Sequence, residues 1–379
     1  MNSRNKITVA QVLPALTTGG VERGAIEISK EMIKKGLRPL IICGGGELES
    51  EIKDSGIEHI KLNIGEKNLS TLLLVKKLSQ IFITKRVNII HARSRLPAWI
   101  SSFALRMIKT ANEISWLTTV HGPYTVNYYS KIMVSGDKII AVSDFIKKYI
   151  LKNYNVEPKK IITIPRGVDT EKYHPEFKPD KRWLDRTSQV EEWLGNRPIL
   201  SLPGRLTSWK GQAEFIDLLF DLKKNKILFH GLIIGGIHAN KKNYYKFLNK
   251  KITNLGLSDN VTLLGNRHDL RQIMSISSIT FSLTSKPEAF GRTTAESLSL
   301  GTPVIGYDYG GTGEILRKWF PIGLIEPFNM KEALERVRLF LTSPPKVPIE
   351  NQFPLQNMLD ETIHLYQKTF EIKKQQDRY

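Results

Sequence analysis

Short runs of apolar, largely β-branched residues alternate with helix-length amphipathic segments along nearly all of this 379-residue chain, and that alternation admits few folds. Strands that are apolar at consecutive positions are buried on both faces, which calls for a parallel sheet with helices above and below it. The pattern places strands near 6–12, 38–43, 57–61, 88–91, 116–120, 138–142 and 161–164. Helices are expected over 21–35, 69–85, 97–109 and 143–152, the last capped by Ser143. From Pro165 to Pro198 the rhythm gives way to charge and proline, with a short helical piece around Val190–Leu194. It resumes with strands near 199–203, 228–234, 261–264, 278–283, 303–306 and 322–325. A chain of this length suits two domains better than one or three. The fold class is therefore α/β, with two doubly wound Rossmann-like domains. The expected division is an N-terminal domain over 1–170, a linker over 171–197, a second domain over 198–352 and a C-terminal segment, 353–379. That segment carries one amphipathic helix from Leu355 to about Phe370 and crosses back to the N-terminal domain.

Charge and cysteine content narrow the functional classes. Lys and Arg outnumber Asp and Glu by 56 to 37, and the excess is spread over both halves, so the fold itself is basic rather than one arm. Such a balance suits phosphates, nucleic acid or an acidic membrane surface. No nucleic-acid reading motif is present, so binding of that kind would be non-specific. The single cysteine, Cys43, excludes an internal disulfide framework and a thiolate zinc site. No apolar run reaches the roughly 18 residues of a membrane span. Gln11 and Pro14 interrupt the apolar stretch Ile7–Leu16, which reads as strand plus loop, not a signal peptide. The expected location is the cytoplasm, with peripheral contact at the inner face of the membrane. The segment Leu69–Lys85 is strongly apolar with Lys76, Lys77 and Lys85 interleaved, and core packing is expected for it.

Ligands of doubly wound sheets bind beyond the carboxyl ends of the strands, and the informative residues fall there. Thr17–Arg23 after the first strand contains Gly19 and Gly20 and opens a helix, whose free N–H groups suit an anion. The spacing is not Gly-x-Gly-x-x-Gly, which disfavours a dinucleotide site and leaves a plain tight turn as an equal reading. In Gly204–Gly211, Arg205 and Lys210 stand at a strand end and a helix start, where they can clamp a diphosphate from two sides or form an ordinary surface pair. Glu288 and Glu296 flank a loop-to-helix transition at Phe290 and Gly291. On one continuous helix they would lie about 12 Å apart on different faces, so the loop is what lets both approach one ligand.

The run Pro287–Gly291 with Glu296 resembles the E-x7-E motif of retaining glycosyltransferases of the GT-B fold, specifically glycosyltransferase family 4. Thr18–Glu22, Thr119–Gly122, Val142–Ser143, Ile164–Asp169, Gly204–Gly211, Gly301–Val304 and Gly310–Glu314 follow in the family's order. The resemblance implies two Rossmann-like domains facing across a cleft and transfer of a hexose from a nucleotide-sugar by front-side attack. It implies that Arg205 and Lys210 bind the donor diphosphate, that Glu288 faces the donor sugar and that Glu296 holds the ribose. Gly19 and Gly20 would close over the phosphates, Phe290 and Gly291 would line the donor site, and His121 would stand close to the reaction centre. No resident cofactor and no metal are implied, and the sequence has no Asp-x-Asp motif and no clustered His or Cys. Arg166 departs from the family pattern, where Asn is more usual before Gly-Val-Asp.

A narrower resemblance lies in Ile90–Trp99, which is similar to family 4 mannosyltransferases of lipopolysaccharide core assembly in alphaproteobacteria. It implies GDP-mannose as donor and an anionic, lipid-linked acceptor carrying a Kdo sugar, with Arg93 and Arg95 binding the acceptor. A UDP-sugar transferase, a nucleotide-sugar epimerase and a pyridoxal-phosphate-dependent phosphorylase on the same fold are the enzymatic alternatives. Inversion with His121 as general base is a further one.

Overall fold

The computed structural model describes residues 6–17, 19–68, 70–186, 197–236 and 242–376. The chain forms two compact units, one running to Pro165 and completed by the segment from Gln356, the other comprising Arg166–Leu355.

In the first unit β1 (Thr8–Val12), β2 (Arg38–Cys43), β3 (Glu58–Lys61), β4 (Ile89–Ala92), β5 (Ser115–Val120), β6 (Lys138–Ala141) and β7 (Ile161–Thr163) form a seven-stranded sheet. Its order is β3-β2-β1-β4-β5-β6-β7, with every pairing parallel. In the second, β8 (Ile199–Pro203), β9 (His230–Ile234), β10 (Val261–Gly265), β11 (Ile279–Ser282), β12 (Val304–Tyr307) and β13 (Leu324–Ile325) pair in parallel in the order β10-β9-β8-β11-β12-β13. β1, β4, β5 and β8 are buried at every position, as strands covered on both faces must be. Each sheet reverses direction once, between β1 and β4 and between β8 and β11, and loops that diverge there leave a crevice.

The C-terminal helix Leu355–Gln376 extends beyond the expected end near Phe370. It belongs to the first unit, where Met358, Leu359, Ile363, Leu365 and Tyr366 are buried. Asp360 meets Lys35 at 3.4 Å, and Lys373 meets Asp137 at 4.0 Å.

Two expectations change. Residues 171–197 do not all behave as a linker, because the described part folds onto the second unit. Asp180 accepts the main-chain N–H of Trp183 at 2.6 Å, and the Trp183 indole donates to Asp269 at 2.7 Å. Trp183 and Leu184 pack against the cluster of Ile199, Leu232, Ile234 and Ile273. Burying an indole outweighs a charged composition. The piece around Val190–Leu194 lies outside the described residues. The second change concerns the helix Ser70–Thr84, which is only half a core helix. Thr71, Leu78, Ser79 and Phe82 are buried, whereas Leu72, Leu73 and Ile83 are exposed on a surface that also carries Lys76 and Lys77.

Residues 166–169 and 353–355 run side by side. The N–H of Val168 donates to the Phe353 carbonyl at 2.9 Å, and that of Leu355 to the Val168 carbonyl at 2.8 Å. A Cβ at Gly167 would stand 2.3 Å from the Leu355 Cα and 2.8 Å from the Pro354 oxygen, all main-chain atoms that cannot rotate away. Gly167→Ala is therefore expected to cost about 2–3 kcal/mol of stability, within the range of overpacking substitutions. Urea unfolding checks this, and an unchanged midpoint would count against the close approach.

Candidate active site

At the switch point of the second unit, β8 runs into the loop Gly204–Gly211 and then the helix Gln212–Lys224. β11 runs into the loop that carries Glu288 and then the helix Arg292–Ser299, and β12 into the helix Gly310–Trp319. The three loops are tied together: the N–H of Ser285 donates to the Trp209 carbonyl at 2.9 Å, and that of Gly311 to the Glu288 carbonyl at 2.8 Å. Gly291 caps the helix Arg292–Ser299 in the left-handed region, φ +91°, with Thr312 atoms at 3.0–3.2 Å from where a Cβ would stand. Only glycine fits there, which leaves a bare helix N-terminus at the loop.

Lys210 Nζ lies 2.5 Å from Glu288 Oε1, with both side chains about 85% covered, and 4.6 Å from the centre of the Trp209 ring. Arg205 stands exposed on the same loop. Glu296, 6% exposed, receives a hydrogen bond from Arg292 Nε at 2.8 Å, one helical turn away. Each carboxylate of the expected pair is therefore matched with a cation. Phe290 adjoins Gly291 in this loop. Its ring is buried and meets Phe353 edge-on with centroids 5.5 Å apart, so only its main chain faces the loop. An aromatic side chain at that position gains more from the core than from a polar ligand.

In the first unit Gly19 and Gly20 open the helix Gly20–Lys34, as expected, and the Glu22 carboxylate lies against Gly19. Thr18 lies outside the described residues. His121 follows β5 and is half-buried, and its main-chain N–H donates to the Tyr124 hydroxyl at 3.3 Å. Arg95 begins the helix Arg95–Arg106 and donates through Nη1 to Ser130 Oγ at 3.3 Å.

Arg93 is not at the surface. It is 2% exposed, and its Nε donates to Gln11 Oε1 at 2.7 Å, while Gln11 donates to Ser29 Oγ at 2.6 Å and to the Ala25 carbonyl at 2.9 Å. Burial pushes the guanidinium pKa down, opposed by the adjacent Tyr366 hydroxyl and by Glu27 and Glu22. Burial pushes the Tyr366 phenol up to about 12 despite Arg93 beside it. The same hydroxyl lies 2.6 Å from His91 Nδ1, and His91 Nε2 lies 2.6 Å from Thr119 Oγ1. Arg93 is thus not the solvent-facing residue that the sequence suggested: the side chain turns into the unit, where Nε is met by Gln11 and Nη2 is buried without a hydrogen-bond partner. Gln11, a polar residue inside an apolar strand, was the sequence signal for this network. Tyr366 carried no such signal. No group of three His, Cys, Asp or Glu side chains able to hold a metal ion occurs among the described residues.

Two parallel Rossmann-like units with polar loops at their switch points are the architecture of the GT-B class of glycosyltransferases. Residues 18–172 match the family Glycosyltransferase Family 4, and residues 185–353 match Glycosyl transferases group 1. A crystal structure of a glycosyltransferase from Rickettsia africae ESF-5 is 33% identical, covering 96% of this chain and 99% of that one with a TM-score of 0.85. Spore coat protein SA of Bacillus subtilis (strain 168) is 23% identical over 93% of this chain and 97% of its own length. The Escherichia coli UDP-Gal:alpha-D-GlcNAc-diphosphoundecaprenol alpha-1,3-galactosyltransferase is 22% identical over 86% of this chain and 85% of its own. The chain belongs to the glycosyltransferases of the GT-B fold.

Proposed function

We propose that this enzyme transfers a hexose with retention from a nucleoside-diphosphate sugar to an anionic, lipid-linked saccharide. The observation that carries the proposal is the Lys210–Glu288 pair beside Arg205 and the Gly291 helix N-terminus, all beyond the carboxyl ends of β8 and β11. Arg205 and Lys210 bind the diphosphate from two sides, Glu288 accepts hydrogen bonds from the sugar hydroxyls, and Glu296, held by Arg292, takes the ribose. As the glycosidic bond breaks, negative charge grows on the leaving diphosphate. Two cations and a helix N-terminus oppose that growth, the kind of electrostatic contribution that is usually the largest in catalysis. The acceptor oxygen attacks the anomeric carbon from the face that the diphosphate leaves, its proton passing to the departing phosphate oxygen. Gly19 and Gly20, after β1, and His121, after β5, are the first unit's own candidates for ligand contact.

With the diphosphate charge met by side chains, the reaction needs no divalent ion. Turnover is expected to survive EDTA within about twofold, where loss of a catalytic metal would cost several kcal/mol. GDP-mannose is the first donor to test, on the likeness of Ile90–Trp99 to lipopolysaccharide core mannosyltransferases. A UDP-hexose is the second reading, supported by the galactosyltransferase relative, whose name specifies UDP-Gal and a diphosphoundecaprenol-linked acceptor.

No helix among the described residues is long and apolar enough to cross a membrane. Peripheral contact at the inner face of the cytoplasmic membrane is supported by the outward surface of Ser70–Thr84. Leu72, Leu73 and Ile83 are exposed there, and Lys67–Arg86 contains five cations and no acidic residue. Such a surface favours anionic lipid. Incubation with Kdo-lipid A and with undecaprenyl-diphosphate GlcNAc, each with GDP- and UDP-sugars and with or without EDTA, tests the function by mass spectrometry. Nucleotide binding without transfer to either acceptor would overturn the acceptor class.

A further inference from the structure

Arg95 is half-buried and has no carboxylate within ion-pair distance among the described residues. Its guanidinium carbon lies 5.0 Å from the centre of the Tyr124 ring and 5.2 Å from that of Tyr129. Rings against a guanidinium strip water from its faces and leave the in-plane N–H edges as the only polar outlet. One edge is committed through Nη1 to Ser130, whose own N–H is held by Asn127 at 2.8 Å.

The surroundings are built to hold this arrangement. Tyr149 donates its hydroxyl hydrogen to the Tyr124 carbonyl, and the Tyr124 hydroxyl accepts the main-chain N–H of His121. Tyr154 adds a buried hydroxyl that has no hydrogen-bond partner, close enough to Arg95 for the cation to oppose the upward push of burial on the phenol. An unmatched cation and an unmatched buried hydroxyl are each costly unless a ligand meets them. Arg95, Tyr124 and Tyr129 follow the carboxyl ends of β4 and β5, as His121 does, and Tyr149 and Tyr154 belong to the helix Asp144–Asn153 after β6 and to its C-terminal cap.

We infer that Arg95, held against Tyr124 and Tyr129 beside the Tyr154 hydroxyl, forms a subsite for the oxyanion of a sugar acid or sugar phosphate in the acceptor. The open guanidinium edge takes two oxygens of a carboxylate or phosphate in a planar fork, and the exposed parts of the tyrosine rings take the apolar face of the sugar. This assignment rests on the transferase reading and adds to it the specificity for charge, with Arg95 as the discriminating residue.

Binding of three probes, methyl glucoside, glucuronate and glucose 6-phosphate, to the full chain by saturation-transfer NMR and calorimetry tests it. At least one anionic probe is expected to bind at least tenfold more tightly than methyl glucoside, and the stronger of the two identifies carboxylate or phosphate as the group recognised. Arg95→Gln should remove that preference, and Arg95→Lys should restore only part of it because the fork is lost. Tyr129→Leu, which keeps the cation but frees it to move, should weaken the anionic probe with thermal unfolding monitored in parallel. Equal binding of neutral and anionic sugars, or an unchanged preference in Arg95→Gln, overturns the subsite. Binding of GDP and UDP is measured separately on the same variants. Loss of nucleotide binding in the wild-type chain sinks the transferase reading, while its retention in Arg95→Gln keeps the two readings distinguishable.

Discussion

Lys210→Ala is expected to lower kcat/KM by at least a hundredfold, about 2.7 kcal/mol of transition-state stabilisation. The loss has two sources. One cation disappears from the diphosphate, and Glu288, whose carboxylate oxygen now lies 2.5 Å from Lys210 Nζ, is left unneutralised beside the phosphates. Glu288→Gln should lose turnover while retaining nucleoside diphosphate binding, because the amide keeps the shape and Lys210 is released towards the phosphate. The two substitutions are therefore not additive. Lys210→Ala/Glu288→Gln should bind GDP or UDP more tightly than Lys210→Ala alone, since the repelling carboxylate is gone. A double-mutant cycle on nucleotide affinity and on kcat/KM reads the coupling. Strict additivity in both would show that the pair does not act on the diphosphate.

Arg93→Ala is expected to act on folding, lowering stability by about 3–5 kcal/mol, the range for breaking one side of a buried charged arrangement and leaving a cavity. Gln11 Oε1 loses the donor at 2.7 Å, and the Tyr366 hydroxyl loses its cationic neighbour. Arg93→Met fills most of the space without a charge to desolvate and should recover much of that loss, as apolar replacements of buried ionic groups often do. Tyr366→Phe should cost less, about 1–2 kcal/mol, for a deleted hydroxyl that lies 2.6 Å from His91 Nδ1. Urea unfolding of the three variants checks the order. If Arg93→Ala were as stable as the wild type but raised the acceptor KM, the burial of Arg93 would be refuted and its expected place at the acceptor restored.

Strand positions were legible because parallel strands covered on both faces write themselves as unbroken apolar runs. The same fact hid Arg93. Every residue of Ile89–Ala92 is buried, so no alternation marks which face the next side chain takes, and an arginine after such a strand reads as solvent-facing. The direction of the Phe290 ring was equally unwritten, since a loop aromatic beside a glycine gives no sign of which way its ring turns. The residues gathered at the switch point of the second unit were legible because charged residues and glycines stand at fixed offsets from strand ends. Tyr366 was not, because its partners His91 and Arg93 are more than 270 residues away in sequence and only the folded chain brings them together. The acidic and basic stretch 171–186 concealed one docking residue, Trp183, within a composition typical of solvent-exposed chain.

The return of the chain's last segment to its first unit has a consequence for synthesis. The strands β1 to β7 are all made before residue 166 emerges, yet the side chain that closes the polar interior around His91 and Arg93 is residue 366. At ribosomal speeds of about 5–20 residues per second, the nascent N-terminal half waits on the order of 10–40 s with that interior unsealed. The half that is translated first is therefore finished last, and a chain stopped short of Tyr366 forfeits the completion of its beginning rather than merely its end.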